Sequence, residues 1–433
     1  MVDQRRIDDQ RWVDARTAAR HLGIQLRTLY AYVSRGQVRS VPGERGRPRL
    51  YALSDLERLR VRKEARAGHG AVAAGALRWG EPVLDSAITA ITPRGPAYRG
   101  RLATELAASG APFENVAELL WSGYLPAEPV TWPRTAMPLA PLAKLLGEGA
   151  SALAAMALII EVAALGDRHV DQNGLYRSLG RTPSGAPAGR DGRPDALIAR
   201  GRALIPLLAA ALAPGLAAAS FTRALGAPSV AATCARALGL EDDAAPVLDR
   251  VLVLLADHEL NASSFVARVA ASTDADPYAC VLAALATLSG PKHGNAWIEV
   301  VRFADEVGSP EAARAAVRAL RKKDRVPPGF GHPLYPAGDP RCPPLLELAR
   351  GKPARRARTL LAIVDAATDA QPNVDVGLAA LIAALGLPPD AASGLFAVAR
   401  TAGWLAHALE QRALGVLLRP RARYVGPPVT FPS

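Results

Sequence analysis

The sequence predicts an all-α protein in which a small winged helix-turn-helix unit precedes a large helical body. Alanine and leucine supply much of the apolar half of the chain, and both favour helices. Apolar residues recur at helical spacing almost throughout from about residue 80, whereas residues 12–60 follow the order helix, glycine turn, helix and basic hairpin. Because 433 residues exceed one ordinary core, we expect domains at 1–66 and 80–433, joined by a linker at 67–79.

Two short helices open the N-terminal unit. Asp14 can cap a helix over residues 15–22, whose apolar residues have helical spacing. Gly23 breaks that helix. A second helix carries an apolar stripe over residues 26–33, and Gly36 ends it, as a C-terminal glycine commonly does.

A basic segment follows the second helix. Residues 41–51, VPGERGRPRLY, contain three arginines and the Pro and Gly residues of a turn, so they predict a short hairpin. Residues 54–57, SDLE, have the spacing of a capping box and begin a further helix. The outline is that of a winged helix-turn-helix.

This unit resembles the MerR and excisionase type in residues 18–24, AARHLGI, and 28–33, TLYAYV. In such folds the second helix enters the major groove and the wing contacts phosphates or the minor groove. The resemblance implies DNA as a partner of residues 1–66. The candidate contacts are Gln25, Arg27, Thr28, Tyr32, Arg45, Arg47 and Arg49. The alternatives are a solvated basic face, or an oligomerisation module that does not bind DNA.

The charge of the chain is concentrated in this unit. Residues 1–66 hold 16 Lys and Arg against 8 Asp and Glu, which gives +8 of the total of +12. A basic unit attached to a nearly neutral body indicates a polyanionic partner for the unit and not for the whole protein.

The composition also argues against a membrane or secreted protein. Residues 203–221 carry no charge, but Pro206, Pro214 and Gly215 interrupt them, so two buried helical pieces are expected and not a membrane span. Three scattered cysteines without metal-ligand spacing fit a reducing cytoplasm. The first ten residues have no apolar signal core.

Five blocks in the body carry candidate chemistry. The first is residues 328–341, PGFGHPLYPAGDPR, in which His332 lies on a turn between glycine and proline and Arg341 follows nine positions later. An imidazole can polarise a carbonyl and a guanidinium can hold a carboxylate, so this pair suits a small anionic substrate.

The other four blocks are weaker when taken singly. Residues 256–264, ADHELNASS, and 289–296, SGPKHGNA, place His258 and His293 in a polar cluster and a glycine turn. Residues 371–375, QPNVD, place Asp375 where a helix N-cap is the simpler explanation. The last block supplies Arg400 in ARTAGWLAH and Arg419 in RPRARYVG.

Together, and in their order along the chain, the five blocks resemble the citrate synthase family. Further matches are YRG at 98–100, FENVAELL at 113–120 and GYLP at 123–126, so the resemblance covers about residues 80–427. It implies a helical fold with a large domain and a smaller domain, here about 287–386, which closes over coenzyme A.

The family's reaction condenses acetyl-CoA with oxaloacetate and hydrolyses the citryl thioester to citrate and CoA. The resemblance implies that Asp375 is the base, that His293 stabilises the enol and that His332 polarises the keto carbonyl. It implies that His258, Arg341, Arg400 and Arg419 bind oxaloacetate. Arg419 would come from the partner subunit, so a homodimer with shared active sites is expected.

Coenzyme A would lie along Lys292, Gly329, Phe330 and Asn373. The resemblance implies a CoA thioester as substrate and no metal or redox cofactor. Four positions depart from the usual pattern, and they leave the identity of the acyl-CoA open: Leu255, Asn295, Ile298 and the pair Pro333-Leu334.

Two alternatives remain open. Within the same class, propionyl-CoA in place of acetyl-CoA would make the protein a 2-methylcitrate synthase. In another class, the protein would be a DNA-binding regulator whose synthase-like body senses a metabolite. The retained acid at Asp375 argues against a pure sensor, because sensing needs no base.

Overall fold

The computed structural model describes most of the chain and divides it into two compact units. One unit comprises residues 1–85 with 419–433, and the other, which is the body, comprises residues 86–418. The described residues are 12–34, 38–42, 48–53, 55–56, 84–134, 137, 142, 144, 149–169, 194–351, 354–420 and 425–427.

A strand that runs directly into a helix opens the N-terminal unit. Asp14 ends the strand and caps the helix, because its carboxylate accepts a hydrogen bond from the Thr17 amide at 2.8 Å. Gly23 ends the helix in a left-handed conformation. The elements are β1 (Trp12–Asp14), α1 (Ala15–Leu22), α2 (Leu26–Ser34), β2 (Ser40–Val41) and β3 (Leu50–Ala52).

The three strands of this unit form one antiparallel sheet in the order β1-β3-β2. The helices and the hairpin agree with the prediction, whereas β1 was not predicted. The small core consists of Ala18, Leu22, Leu29, Val38, Tyr51 and Leu56. Gly36, the wing residues Arg45 and Arg47, most of the predicted third helix and the linker lie outside the described residues.

The body begins with a three-stranded antiparallel sheet. Its strands are β4 (Thr89–Thr92), β5 (Gly95–Tyr98) and β6 (Arg101–Leu102), in that order. The rest of the described body is helical, which confirms the predicted fold class.

The helices of the body follow in chain order. The first six are α3 (Ala103–Ala108), α4 (Phe113–Ser122), α5 (Ala152–His169), α6 (Pro194–Ala210), α7 (Ala218–Leu225) and α8 (Val230–Ala237). Next come α9 (Ala245–Leu255), α10 (Ala262–Ser272), α11 (Pro277–Leu288), α12 (Trp297–Val307) and α13 (Ala313–Arg321). The last four are α14 (Cys342–Arg350), α15 (Arg355–Ala366), α16 (Val374–Ala384) and α17 (Ala391–Leu414).

Two groups of helices position the site. The long helix α17 is buried along most of its length and packs against α4, α5, α6, α9, α10 and α11. The helices α12, α14 and α15 pack against α16, α13 packs against α15, and all five lie within the predicted smaller domain. One continuous hydrophobic core runs through both groups.

The uncharged run at residues 203–221 is broken, as the sequence predicted. α6 contains Pro206, and a short 3₁₀ turn at Pro214–Leu216 separates it from α7. Among the described residues, no helix combines the length and the apolar character that a bilayer span requires.

Candidate active site

His293 lies on the glycine turn between α11 and α12. Its Nε2 is 2.8 Å from the hydroxyl of Ser263, which also accepts a hydrogen bond from the Trp404 indole at 3.0 Å. Ser263 is in the first turn of α10 and Trp404 is on α17. Burial lowers the pKa of His293 to about 4, and Arg400 adds to the effect, so this imidazole is neutral at pH 7.

His332 lies on the turn that precedes α14. The Leu334 amide donates to its Nδ1 at 3.1 Å, so Nδ1 is the unprotonated nitrogen and Nε2 carries the hydrogen. Burial lowers the pKa of His332, and Arg341 adds to the shift. A neutral ring with a free Nε2–H can donate a hydrogen bond to an oxygen atom.

His258 faces the same turn from the end of α9. Its Nε2 is 3.1 Å from the Tyr335 hydroxyl, and its ring centroid is 5.5 Å from that of His332. Burial lowers the pKa of His258 well below its usual value, and Arg341 and Arg400 add to the shift. The structure therefore brings His258 and His332 together.

Arg341 is buried and held by a two-point ion pair. Its Nε and Nη2 donate to the two carboxylate oxygens of Asp339 at 3.0 and 2.7 Å. Burial opposes ionisation of Asp339, but Arg341 overrides it, and the pKa of Asp339 lies below its usual value. The same carboxylate accepts a hydrogen bond from the Val374 amide at 3.2 Å, at the start of α16.

Asp375 lies in the first turn of α16. Asn373 caps this helix, because its side-chain oxygen accepts from the Asp375 amide at 3.0 Å. Burial raises the pKa of Asp375 to about 6, although Arg341 opposes the shift. A carboxyl group with this pKa is ionised at pH 7 and still basic enough to accept a proton from carbon.

Short backbone contacts connect Asp375 with the His332 turn. The Gly331 amide donates to Gln371 O, and the Asn373 amide donates to Gly329 O, both at 2.8 Å. Gly329 and Gly331 have φ of 79° and 82°. A Cβ at Gly329 would lie 2.6 Å from the side chain of Val376, so only glycine fits this approach.

Arg400 is buried on α17 with one nitrogen unused. Its Nε donates to Leu255 O at 2.8 Å, and the guanidinium lies 4.6 Å from the ring centroid of Phe396. Its Nη2 finds no hydrogen-bond partner within the described part of the chain. Burial lowers the pKa of Arg400 to about 10, so it remains a cation at pH 7 with a donor available for a ligand.

The structure groups most of the predicted residues around one site. Arg341 and Arg400 both act electrostatically on His258, Arg400 acts on His293, and Arg341 acts on His332 and Asp375. Gly329, Phe330 and Asn373 lie between the His332 turn and Asp375. The structure thus brings three imidazoles, one acid and two guanidiniums together, and the roles assigned to them stay predictions.

The structure does not assign two predicted residues to this group. Lys292 is exposed on the glycine turn, with no contact to the site among the described residues. Arg419 is exposed and belongs to the other compact unit. Its role at a shared active site stays a prediction.

Sequence reasoning did not assign several supporting residues. Tyr335 and Asp339 lie inside the first block, so their proximity to His332 and Arg341 was the available signal. Ser263 also lies inside a block, but its contact with Trp404 joins residues 141 positions apart. No local sequence pattern predicts such a contact.

A buried polar network holds the segment that leads into His258. His407 Nε2 lies 3.4 Å from Asp257 Oδ2, and Arg268 donates to Gln411 at 3.0 Å and to Glu410 at 2.6 Å. Because Asp257 precedes His258 in the chain, this network fixes the start of the His258 segment.

The comparisons with known proteins agree with this arrangement. The family model for the citrate synthase C-terminal domain matches residues 76–421, and the model for the MerR HTH family of regulatory proteins matches residues 15–72. The body is thus a citrate synthase-type helical domain, and the chain belongs to the citrate synthase family.

Relatives with known names share part of the chain. Citrate synthase 2 of Bacillus subtilis is 41% identical over 188 residues, which are 41% of this chain and 50% of that protein. Citrate synthase of Synechocystis is 42% identical over 195 residues, or 42% and 49% of the two chains. 2-Methylcitrate synthase 1 of Corynebacterium glutamicum is 36% identical over 187 residues, or 41% and 49%. The matched part spans about half the length of these curated relatives.

Solved structures agree with the fold over more of the chain. Citrate synthase from Thermotoga maritima has a TM-score of 0.58 at 26% identity and covers 82% of this chain and 96% of its own. Citrate synthase from Thermoplasma acidophilum, solved with carboxymethyl coenzyme A and oxaloacetate, has a TM-score of 0.64 at 22% identity and covers 81% and 96%.

Proposed function

We propose that the protein condenses acetyl-CoA with oxaloacetate and hydrolyses the resulting thioester to citrate and CoA. The observation that carries this proposal is Asp375, a carboxyl group with a pKa of about 6 among neutral imidazoles and cationic guanidiniums. Removing a proton from the methyl group of a thioester requires such a base, and the enolate that results requires hydrogen-bond donors.

In the first step Asp375 takes a proton from the methyl group of acetyl-CoA. The thioester oxygen gains the negative charge of the enolate, and His293 stabilises it with a hydrogen bond. The single hydroxyl hydrogen of Ser263 can go to Asn261 Oδ1 or to Nε2 of His293, both at 2.8 Å. We assign it to Nε2, because Asn261 Oδ1 already accepts from the Ser263 and Ser264 amides, and Nδ1 then carries the hydrogen that faces the substrate. A pKa of about 4 keeps this ring neutral, and a neutral donor needs no proton from solvent.

In the second step the enol carbon attacks the keto carbon of oxaloacetate. His332 Nε2–H donates a hydrogen bond to the keto oxygen and stabilises the negative charge that forms there with the carbon–carbon bond. One proton then neutralises this alkoxide, which balances the proton that Asp375 took from the methyl group. Its Nδ1 is held by the Leu334 amide, so Nε2 is the nitrogen that acts. Water then cleaves the thioester, giving a carboxylate and the thiol of CoA.

The two carboxylates of oxaloacetate require cationic partners. Arg400 offers its unused Nη2, Arg341 is oriented by Asp339, and His258 adds a contact beside Tyr335. We propose that Arg419 of a second copy of the chain completes this site. Exposed apolar side chains at Leu414, Val416 and Leu417, just before Arg419, support pairing of two copies, because apolar side chains so close together favour burial.

Coenzyme A carries phosphates, and the body has a basic segment suited to them. Helix α13 and the residues after it expose a run of cationic side chains shortly before Gly329: Arg314, Arg318, Arg321, Lys322, Lys323 and Arg325. We propose that coenzyme A lies along Lys292, Gly329, Phe330 and Asn373, with its phosphates toward this segment.

Release of the CoA thiol on mixing the purified protein with acetyl-CoA and oxaloacetate tests the proposal. The expected result is turnover that requires both substrates and is lost in Asp375→Ala. Absence of turnover with every short acyl-CoA would refute the proposal, and full activity of Asp375→Ala would refute the mechanism. Propionyl-CoA is included because the Corynebacterium glutamicum relative is named a 2-methylcitrate synthase.

A second function is DNA binding by the N-terminal unit. The match to the MerR HTH family and the exposure of Gln25 and Arg27 at the start of α2 support it. A gel shift of the full chain with its own upstream DNA, at stated salt concentrations, tests this function. Equal binding by a chain that lacks residues 1–66 would refute it.

We also propose a cytoplasmic location. All three cysteines are free and buried, and all three are among the described residues. Unpaired thiols fit a reducing compartment.

A further inference from the structure

Ser393 connects the two segments through which the chain enters and leaves the helices α12 to α16. The Trp297 indole donates to the Ser393 hydroxyl at 2.7 Å, and that hydroxyl donates to the Asn295 side-chain oxygen at 2.5 Å. The Asn295 amide group donates to Ser289 O at 2.7 Å. We call Ser393, Asn295 and Trp297 the hinge latch.

Two of the three residues of the hinge latch are buried. Ser393 is 4% exposed and Trp297 is 7% exposed, so water competes little for their hydrogen bonds. The Ser393 hydroxyl uses its hydrogen toward Asn295 and a lone pair toward Trp297. Because one hydroxyl makes both contacts, its removal breaks both.

Packing alone does not hold this segment in place. A cavity of about 470 Å³ borders the hinge latch and is lined by all three of its residues, with Ile298 and Leu285 among the apolar neighbours. On this side the segment lacks contacting atoms, and so it lacks their dispersion attraction. The hydrogen bonds of the hinge latch therefore carry more of the attachment than they would in a filled core.

The hinge latch ties His293 to helix α17. Asn295 is two residues after His293, and Ser393 is on the first turn of α17. The side chain of His293 is tied to the same helix, because Ser263 links it to Trp404. Both the backbone and the ring of His293 are thus fixed relative to the helix that carries Arg400.

Asp375 and His332 are held by a second set of contacts. The backbone bonds between Gly331 and Gln371 and between Asn373 and Gly329 tie the His332 turn to the start of α16. Asp339 ties Arg341 to the same helix start. His293 is inside the bounds 287–386 predicted for the smaller domain, but its ring contacts α10 and, through Ser263, α17. If α12 to α16 move, the base and the carbonyl donor therefore move together, while His293 stays with Arg400.

We propose that Ser393 is a positioning residue that holds His293 on α17 while α12 to α16 bring Asp375 and His332 to it. This inference rests on the proposed condensation reaction, because the base and the enol donor must meet on one thioester. Without the hinge latch, the His293 turn would follow the moving helices, and the enolate would lose its aligned donor.

The first test is Ser393→Ala in the full chain, followed by amide hydrogen exchange of residues 289–298. We expect exchange in this segment to rise about tenfold, with the rest of the body unchanged. Asn295→Ala breaks the same link from a half-buried position and serves if Ser393→Ala folds poorly. Ser289→Ala is the matched control, because its exposed hydroxyl donates only to Ala286 O within its own helix.

The second test separates kcat from KM. We expect Ser393→Ala to lower kcat about tenfold and to change the KM for oxaloacetate less than about twofold, since the groups that bind oxaloacetate are untouched. Ser393→Thr retains the hydroxyl, its extra methyl can enter the cavity, and we expect it to restore kcat.

Each outcome has a separate consequence. Unchanged exchange in both Ser393→Ala and Asn295→Ala overturns the hinge latch, whatever the activity. Raised exchange with an unchanged kcat overturns the positioning role. A wild-type protein that releases no thiol refutes the proposed function and withdraws the positioning role, whereas the exchange measurement still decides whether the hinge latch exists.

Discussion

Asp339 couples Arg341 to helix α16 through one buried carboxylate. It accepts hydrogen bonds from the Arg341 guanidinium at 3.0 and 2.7 Å and from the Val374 amide at 3.2 Å. A single side chain thus orients Arg341, which is proposed to bind the substrate, and also holds the start of the helix that carries Asp375. Removing the Asp339 carboxylate would therefore affect both Arg341 and the start of α16.

We expect Asp339→Ala to lower the free energy of unfolding by about 3–5 kcal/mol, because it leaves the Arg341 charge buried and unpaired. Urea unfolding at pH 7 measures the change. Asp305→Ala is the matched control: it removes a similar two-point pair with Arg356 at a half-exposed position. Such pairs contribute about 0–1 kcal/mol. Equal losses in the two variants would contradict this account.

The pH dependence of turnover should report Asp375. Burial raises its pKa to about 6, and only the ionised carboxylate can take the proton. We therefore expect kcat/KM to rise with pH through about 6 and to level off near neutrality. A steady-state profile from pH 5 to 8 measures this rise. A plateau that extends below pH 5 would show that another group is the base.

The same shift predicts that Asp375 destabilises the fold at neutral pH. Because its pKa is higher in the folded state than in the unfolded state, folding favours the protonated form of Asp375. The stability that this form contributes is lost as the pH rises from about 4 through 6. We expect Asp375→Asn to raise the free energy of unfolding by about 2 kcal/mol at pH 8 and to change it little at pH 4. Urea unfolding at both pH values gives the comparison; equal effects at the two pH values would rule out a buried, shifted carboxyl group.

A second buried acid, Glu114, should act in the same direction. Burial raises the pKa of Glu114 to about 7, and the nearby Asp249 adds to the shift. Glu114 accepts a hydrogen bond from the Val230 amide at 2.7 Å at the start of α8. Its contribution to stability is present below about pH 4.5 and is lost as pH rises through 7.

Glu114→Gln keeps the acceptor and removes the titration. We expect the variant to gain stability relative to wild type between pH 5 and 8, as measured by the shift in the unfolding midpoint. Glu105→Gln, which removes an exposed carboxylate paired with Arg94, is the control, and we expect it to change the free energy of unfolding by less than about 1 kcal/mol. A pH-independent difference for Glu114→Gln would contradict the assigned pKa.

The helical spacing of the apolar residues predicted the fold, whereas the site residues were predicted through the resemblance of the ordered blocks. His332, Asp375 and Arg400 lie in local blocks whose glycines, prolines and helix caps are visible in one dimension. The contacts among the blocks were not visible. Ser263 contacts Trp404, and Ser393 contacts Asn295, because α17, which carries Trp404 and Ser393, packs against both segments.

Non-local pairing also explains what the sequence did not predict in the N-terminal unit. β1 has three residues and lacks a distinctive pattern, and it becomes a strand by pairing Val13 with Tyr51. The predicted shared role of Arg419 depends on a second copy of the chain, so a single chain cannot display it.

Two helix glycines offer the last prediction, because they have opposite surroundings. Gly403 is inside α17, where a Cβ would lie 2.3 Å from Asp257 Oδ1 and 2.6 Å from Ala256 O. Its amide also donates to Ala256 O at 3.1 Å. Gly166 is inside α5, and a Cβ there would meet nothing within 4 Å in the described structure.

Alanine is the better helix former, so Gly166→Ala should raise the free energy of unfolding by about 1 kcal/mol. Gly403→Ala should lower it by about 2 kcal/mol or more, because neither the backbone at Ala256 nor the buried carboxylate can retreat cheaply. The displaced segment carries His258, so we also expect a higher KM for oxaloacetate in Gly403→Ala alone. Thermal unfolding and oxaloacetate titration measure both effects, and stabilisation by both substitutions would show that the 256–258 segment does not pack closely against α17.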